Sequence, residues 1–204
     1  MKRIVLLAVL ALALPMAAFA NDVDFQNSGG TLTGSSSGLT LTGSELLAVV
    51  GFNGGGLIQG ALGSVSFTTG SLMSGNLTTG AIFNGGGSFT ITGNGTNGIP
   101  NTTIFSGSFS GPVTWSENQN CGPNGSICYT MTGSISGTWY TGQTVNGATI
   151  QITLNTGKNG FMGQVTLGSG DTVIGTTVPE PGTLGLLGTG LVGLAGIIRR
   201  KLKA

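Results

Sequence analysis

The residue types that carry most protein chemistry are scarce in this chain, and their scarcity narrows what it can do. It contains no histidine. No Ser-His or Cys-His pair can therefore activate a nucleophile, and no zinc site can be built on imidazole. Away from the two ends, carboxylate chemistry would have to use Asp22, Asp24, Glu45, Glu117 or Asp171. A hydrolase with paired carboxylates needs two of them held at a set separation. Glu45, Glu117 and Asp171 are the residues that would have to converge, and nothing in their spacing requires it. The sequence therefore predicts a protein that is not an enzyme, with a carboxylate-dependent hydrolase as the remote alternative.

Cys121 and Cys128 are the only cysteines and bracket Gly-Pro-Asn-Gly-Ser-Ile. In an exported chain such a pair reads as a disulfide at a hairpin tip. Closing so short a loop restricts the unfolded chain by about 2.5 kcal/mol. A metal would need two further soft ligands, and redox chemistry favours a Cys-x-x-Cys spacing. Trp115, Trp139, Tyr129 and Tyr140 have the flat apolar faces and polar edges of a sugar-stacking platform, though core packing suits them better in a protein with few aromatics. The triplets Gly54–Gly56 and Gly85–Gly87 precede neither a helix nor a Lys-Ser/Thr pair, so they read as turns rather than phosphate loops. Four Asn-x-Ser/Thr sequons, at Asn76, Asn94, Asn101 and Asn124, fit chance in a Thr-rich chain. No cofactor is implied.

Charge is both sparse and segregated. Lys2 and Arg3 lie at one end, and Arg199, Arg200, Lys201 and Lys203 at the other. Between them Lys158 is the one cation. Nucleic-acid binding needs clustered Lys and Arg to displace counterions from phosphates, so that class is excluded. Little charge also means little self-repulsion, which favours self-association or adsorption to surfaces.

The middle of the chain, residues 21–177, must supply whatever scaffold positions these groups. It is rich in Gly, Thr and Ser. Ser64-Val65-Ser66-Phe67-Thr68, Ser88-Phe89-Thr90-Ile91-Thr92 and Ala148 to Leu154 alternate polar and apolar residues, the signature of a strand with one buried face. Tyr129 to Tyr140 reads as a long strand with bulge points at Gly133 and Gly137. Asn-Gly pairs, starting at Asn53, Asn84, Asn94, Asn97, Asn124, Asn146 and Asn159, suit tight turns. Asn155 to Gly160 reads as the turn of a hairpin whose second strand is Phe161 to Leu167. Glu45 to Val50 is a weak helix candidate, and Asn21 to Gly38 a flexible leader. The fold class expected is all-β, a Gly/Thr-rich antiparallel sandwich or barrel. A β-solenoid is the alternative, because Phe52-Asn53-Gly54-Gly55-Gly56 recurs as Phe83 to Gly87. A third copy is missing, however, and repeat folds need at least three.

The ends are addresses. Lys2 and Arg3, an apolar run from Ile4 to Leu14, and the small residues Ala18 and Ala20 before Asn21 form a secretory signal peptide over residues 1–20, cleaved after Ala20. The run is too short to span a bilayer and stops at Pro15. At the other end stand Val178-Pro179-Glu180-Pro181, an uncharged stretch over 183–198, and the cluster Arg199, Arg200, Lys201 and Lys203. The prolines hold the short motif extended. The stretch spans about 24 Å as a helix, enough to cross a membrane with some thinning. The basic cluster then stays on the cytoplasmic side.

Residues 178–204 closely resemble the PEP-CTERM sorting domain, also named the ice-binding protein C-terminal domain, in the order of all three parts. The resemblance implies export, anchoring in the inner membrane and processing by an exosortase, an integral-membrane Cys protease-transpeptidase of bacteria that have two membranes and make exopolysaccharide. A plain single-pass anchor shares the membrane pattern. The expected partners are the export machinery, the exosortase and exopolysaccharide, at the outer surface or in the extracellular matrix. The resemblance implies nothing about the middle of the chain, for which a matrix role leads. A binding module for polysaccharide or ice is the alternative, since Thr31/Thr33, Thr40/Thr42 and Thr90/Thr92 each place two hydroxyls on one strand face.

Overall fold

Alternation of small polar and apolar residues, punctuated by glycine, builds thirteen strands among the residues described by the computed structural model, 22–119, 121, 127–155 and 160–175. They are β1 (Asp22–Ser28), β2 (Thr31–Ser35), β3 (Gly38–Val50), β4 (Ile58–Thr68), β5 (Leu72–Asn76), β6 (Gly80–Phe83) and β7 (Gly86–Gly93). Then follow β8 (Thr103–Phe109), β9 (Val113–Gln119), β10 (Ile127–Trp139), β11 (Thr144–Asn155), β12 (Gln164–Thr166) and β13 (Ser169–Gly175). Among the described residues every ladder is antiparallel, and the one helical element is a 3-10 turn at Phe52–Gly54. The all-β expectation holds. The predicted helices at residues 1–20 and 183–198 lie outside the described residues.

The ladders close on themselves. The order β11-β13-β1-β3-β4-β7-β8-β10 returns to its start because β10 also pairs with β11. Two long strands fork the sheet. β10 pairs with β8 along Ile135–Trp139 but with β9 along Ile127–Thr132. β3 pairs with β1 along Glu45–Val50 but with β2 along Gly38–Thr42. From these forks β9 leads to β6 and β5, and β2 to β12.

Period-two burial fills the interior. Val65, Phe67, Phe89, Ile91, Ala148, Ile150 and Ile152 are buried, as their alternation predicts. Two aromatic groups organise the core. One is a chain of ring contacts through Phe67, Phe89, Phe105 and Trp139 to Phe25. The other is Trp115, Tyr129 and Phe161, with Trp115 and Tyr129 stacked at 4.8 Å.

Several local expectations are corrected. Residues 45–50 are strand, not helix: Leu46 and Ala48 are buried while Glu45 and Leu47 face out, a period of two that serves ladders to β1 and β4. The flexible leader is instead structural, since β1 lies between β13 and β3. The hairpin proposed across Asn155 to Gly160 does not form. β11 already has β10 and β13 on its two edges, so β12 pairs with β2. Asn146-Gly147 makes no turn either. It lies inside β11, in the register shift opposite β10, where Gly147 takes φ 74°. The two Phe-Asn-Gly-Gly-Gly copies are not repeats of one unit: the first forms the 3-10 turn after β3, and the second joins β6 to β7.

Candidate functional site

The three acids that a carboxylate hydrolase would have to bring together lie on three different strands, none of which pairs with another of the three. Glu45 on β3 faces Ser28 and Ser64, Glu117 on β9 faces Tyr129, and Asp171 on β13 faces Gln26 and Gln151. Asp171 instead has a partner the sequence reading passed over, Asp24 on the neighbouring β1. A hydrogen bond between the two carboxyls, with partial burial and the Asp24 charge, pushes Asp171 up to about 6, against a smaller opposing effect of the Thr172 backbone N–H. No group of three or more His, Cys, Asp or Glu side chains that could hold a metal occurs among the described residues.

This pair makes stability depend on pH. The folded value of Asp171 lies above the ordinary 3.8, so the folded state holds its proton more tightly than the unfolded chain. The stabilisation is complete below pH 3.8 and is lost as pH rises through about 6. A fully buried group shifted this far would carry about 3 kcal/mol. Solvent screens this exposed site, leaving about 1 kcal/mol. Asp171→Asn, which removes the repulsion and keeps a donor for Asp24, should therefore raise the urea midpoint at pH 8 and lose that advantage at pH 4. An equal gain at both values would show that the pair is not proton-coupled.

The four large aromatics divide. Trp115 and Tyr129 are core residues, and each polar edge is satisfied: Trp115 Nε1 donates to Leu77 O at 2.9 Å and Tyr129 Oη to Thr78 O at 2.7 Å. Trp139 is a core residue too, but with the exposed Tyr140 it also lines a cleft of about 300 Å³ formed where the β3–β4 and β10–β11 connections meet. There Tyr140 stacks on Phe52 with centroids 5.8 Å apart, and its Oη donates to Asn53 Oδ1 at 3.1 Å.

One threonine of each pair, Thr33, Thr40 and Thr90, falls into a cross-strand row of polar side chains. One is Gln164–Thr33–Thr40–Thr68–Ser88, crossing β12, β2, β3, β4 and β7. A second is Ser66–Thr90–Ser106–Thr138–Thr144, crossing β4, β7, β8, β10 and β11. A third, Gln26–Asp171–Gln151–Thr132–Thr114, carries a single acid across β1, β13, β11, β10 and β9. Period-two geometry sends these side chains outward when Val65, Phe67, Phe89 and Ile91 point in.

Cys121 and Cys128 are joined across the β9–β10 connection, with Cα atoms 5.9 Å apart. Two sequon asparagines are engaged: Asn76 Oδ1 accepts from the Thr78 and Thr79 N–H groups within its own turn, and Asn94 Nδ2 donates to Ala61 O on β4. The signal residues Ala18, Ala20 and Asn21, the motif Val178, Pro179, Glu180 and Pro181, and the basic residues Arg199, Arg200, Lys201 and Lys203 lie outside the described residues.

An all-β body followed by a Pro-Glu-Pro strip, an apolar stretch and a basic end is the plan of a protein addressed for export. Residues 177–201 match the PEP-CTERM protein-sorting motif. The chain carries that motif, the mark of an exported protein held in the membrane before exosortase processing. Neither the curated proteins nor the solved structures gave a match.

Proposed function

We propose that this protein is a non-enzymatic component of the cell surface or extracellular matrix, released from its membrane anchor by an exosortase and acting among exopolysaccharide chains. The sorting motif supports the route, and the outer face supports the destination. Two uncharged rows and a third whose one acid is Asp171 offer hydroxyl and amide donors and acceptors to sugar hydroxyls, and carry no cation for an anionic polymer to pair with. In this reading the closed ring of ladders is a barrel. Only β5 and β12 then keep a free edge among the described strands, which limits uncontrolled pairing outside the cell.

The carrying observation is the motif at 177–201, so the test acts there. Deleting Pro179 to Pro181 in the native host should abolish the processed form and leave the chain in the membrane fraction, read by fractionation and immunoblot. Unchanged release of a shortened product would defeat the sorting reading.

A further inference from the structure

We infer that the cleft between the β3–β4 and β10–β11 connections is a binding site for a neutral saccharide. The inference rests on the exopolysaccharide reading above and gives it a specific site.

Chemistry sets the ligand class. None of the side chains lining the cleft is charged, so it offers no counter-ion to a phosphate, a uronate or an ammonium group. It offers the two things a sugar ring requires. The first is an aromatic face for the C–H side of the ring. Tyr140 is 40% exposed and lies on Phe52, itself only 5% exposed, with an interplanar angle of 22°. Phe52 thus holds the Tyr140 ring in place while leaving much of it open to solvent. The second is a set of polar groups at the rim: the Asn53 and Gln143 amides and the Thr141 hydroxyl. An amide presents a donor and an acceptor side by side, which matches two adjacent sugar hydroxyls. A volume of about 300 Å³ lies at the small end of ligand sites and suits a short stretch of glycan.

The site is built in advance of any ligand. Gly54 N–H donates to Gly51 O at 3.0 Å and Gly55 N–H to Phe52 O at 2.9 Å, which locks the 3-10 turn. Gly51 takes φ 80° and passes so close to Asp22 O that a side chain there would meet it. On the other wall, Trp139 N–H donates to Gln143 O at 2.9 Å and Tyr140 N–H to Ile104 O at 2.8 Å. Trp139, 8% exposed, ties this wall to the core through Phe105 and Phe25. A backbone held in this way, with the Tyr140 ring fixed against Phe52 and Asn53, loses little freedom on binding, which is what lets a small site hold a flexible polymer.

The test uses the full chain in detergent, titrated with soluble dextran, mannan and β-glucan and, as anionic controls, alginate and heparin. The expected result is binding to at least one neutral glycan and to neither control, with a change in Trp139 fluorescence that survives Trp115→Phe. Tyr140→Ala should weaken that binding by about tenfold. Tyr140→Phe should largely restore it, and Gln143→Ala, at an exposed side chain, should weaken it in a protein of unchanged far-UV spectrum. Neutral-glycan binding that none of these variants alters would overturn the cleft and leave the matrix reading standing, with the outer rows as the contact. No binding to any of the three neutral glycans, or binding to alginate or heparin only, would overturn the neutral-saccharide site, whatever the fractionation experiment shows.

Discussion

Trp115→Ala should remove about 4 kcal/mol of folding stability, among the largest effects of any single truncation in this protein. The indole is 1% exposed, stacks on Tyr129 with planes 10° apart and meets the Phe161 edge at 5.2 Å. Truncation leaves a void against Tyr129 on β10 and Phe161 just before β12, and the ladders of β10 with β9 and β11 resist its collapse. It also strands Leu77 O, which loses its donor. For a body of this size each kcal/mol moves the melting temperature by roughly 2–4 °C, so a fall of about 10 °C is expected. Trp115→Phe keeps a ring and should recover more than half of the loss. A fall below 3 °C for Trp115→Ala would mean that this second aromatic group is not a core.

Gly137→Val should be comparably damaging, by about 3 kcal/mol or more, through overpacking rather than a void. Gly137 on β10 lies opposite Gly107 on β8. A Cβ there would come within 2.6 Å of Gly107 Cα and 2.8 Å of Phe105 Cζ, and would run into the Ser106 carbonyl. Two of these obstacles are backbone, which cannot rotate aside. The position also borders the register shift between Ile135 and Gly137 against β11, so the strand has little room to translate. The variant should unfold at markedly lower urea or fail to accumulate. Gly168→Ala is the matched control: its Cβ meets nothing within 4 Å, so its urea midpoint should move by no more than about 0.5 kcal/mol in equivalent stability. Equal behaviour of the two variants would show that the Gly107–Gly137 crossing is looser than described.

The sorting reading and the cleft reading are independent in mechanism. The first rests on a sequence motif at residues 177–201. The second concerns side chains brought together from residues 51–54 and 139–143. The Asp24–Asp171 pair belongs to neither. It joins the first and last strands of the ring and makes that junction weaken as pH rises through about 6.

The sequence by itself determined the properties that depend on local pattern. Strand identity at Ser64–Thr68, Ser88–Thr92 and Ala148–Leu154 was legible because burial on one face enforces a period of two. The sorting motif was legible because it is spelled by residue order within one short segment, and the exclusion of imidazole chemistry because composition alone decides it. Only the tertiary structure decided which strands pair. Phe161 to Leu167 follows β11 in sequence yet serves β2, since both edges of β11 are taken by strands that no local signal names. Asp24 found Asp171 for the same reason: closing the ring joins residues nearly 150 positions apart, and that join is set by which ladders leave no buried backbone group unpaired. That Tyr140 alone of the four large aromatics is exposed likewise follows from where β10 ends, a boundary set by contacts with β8 and β11 rather than by the ring itself.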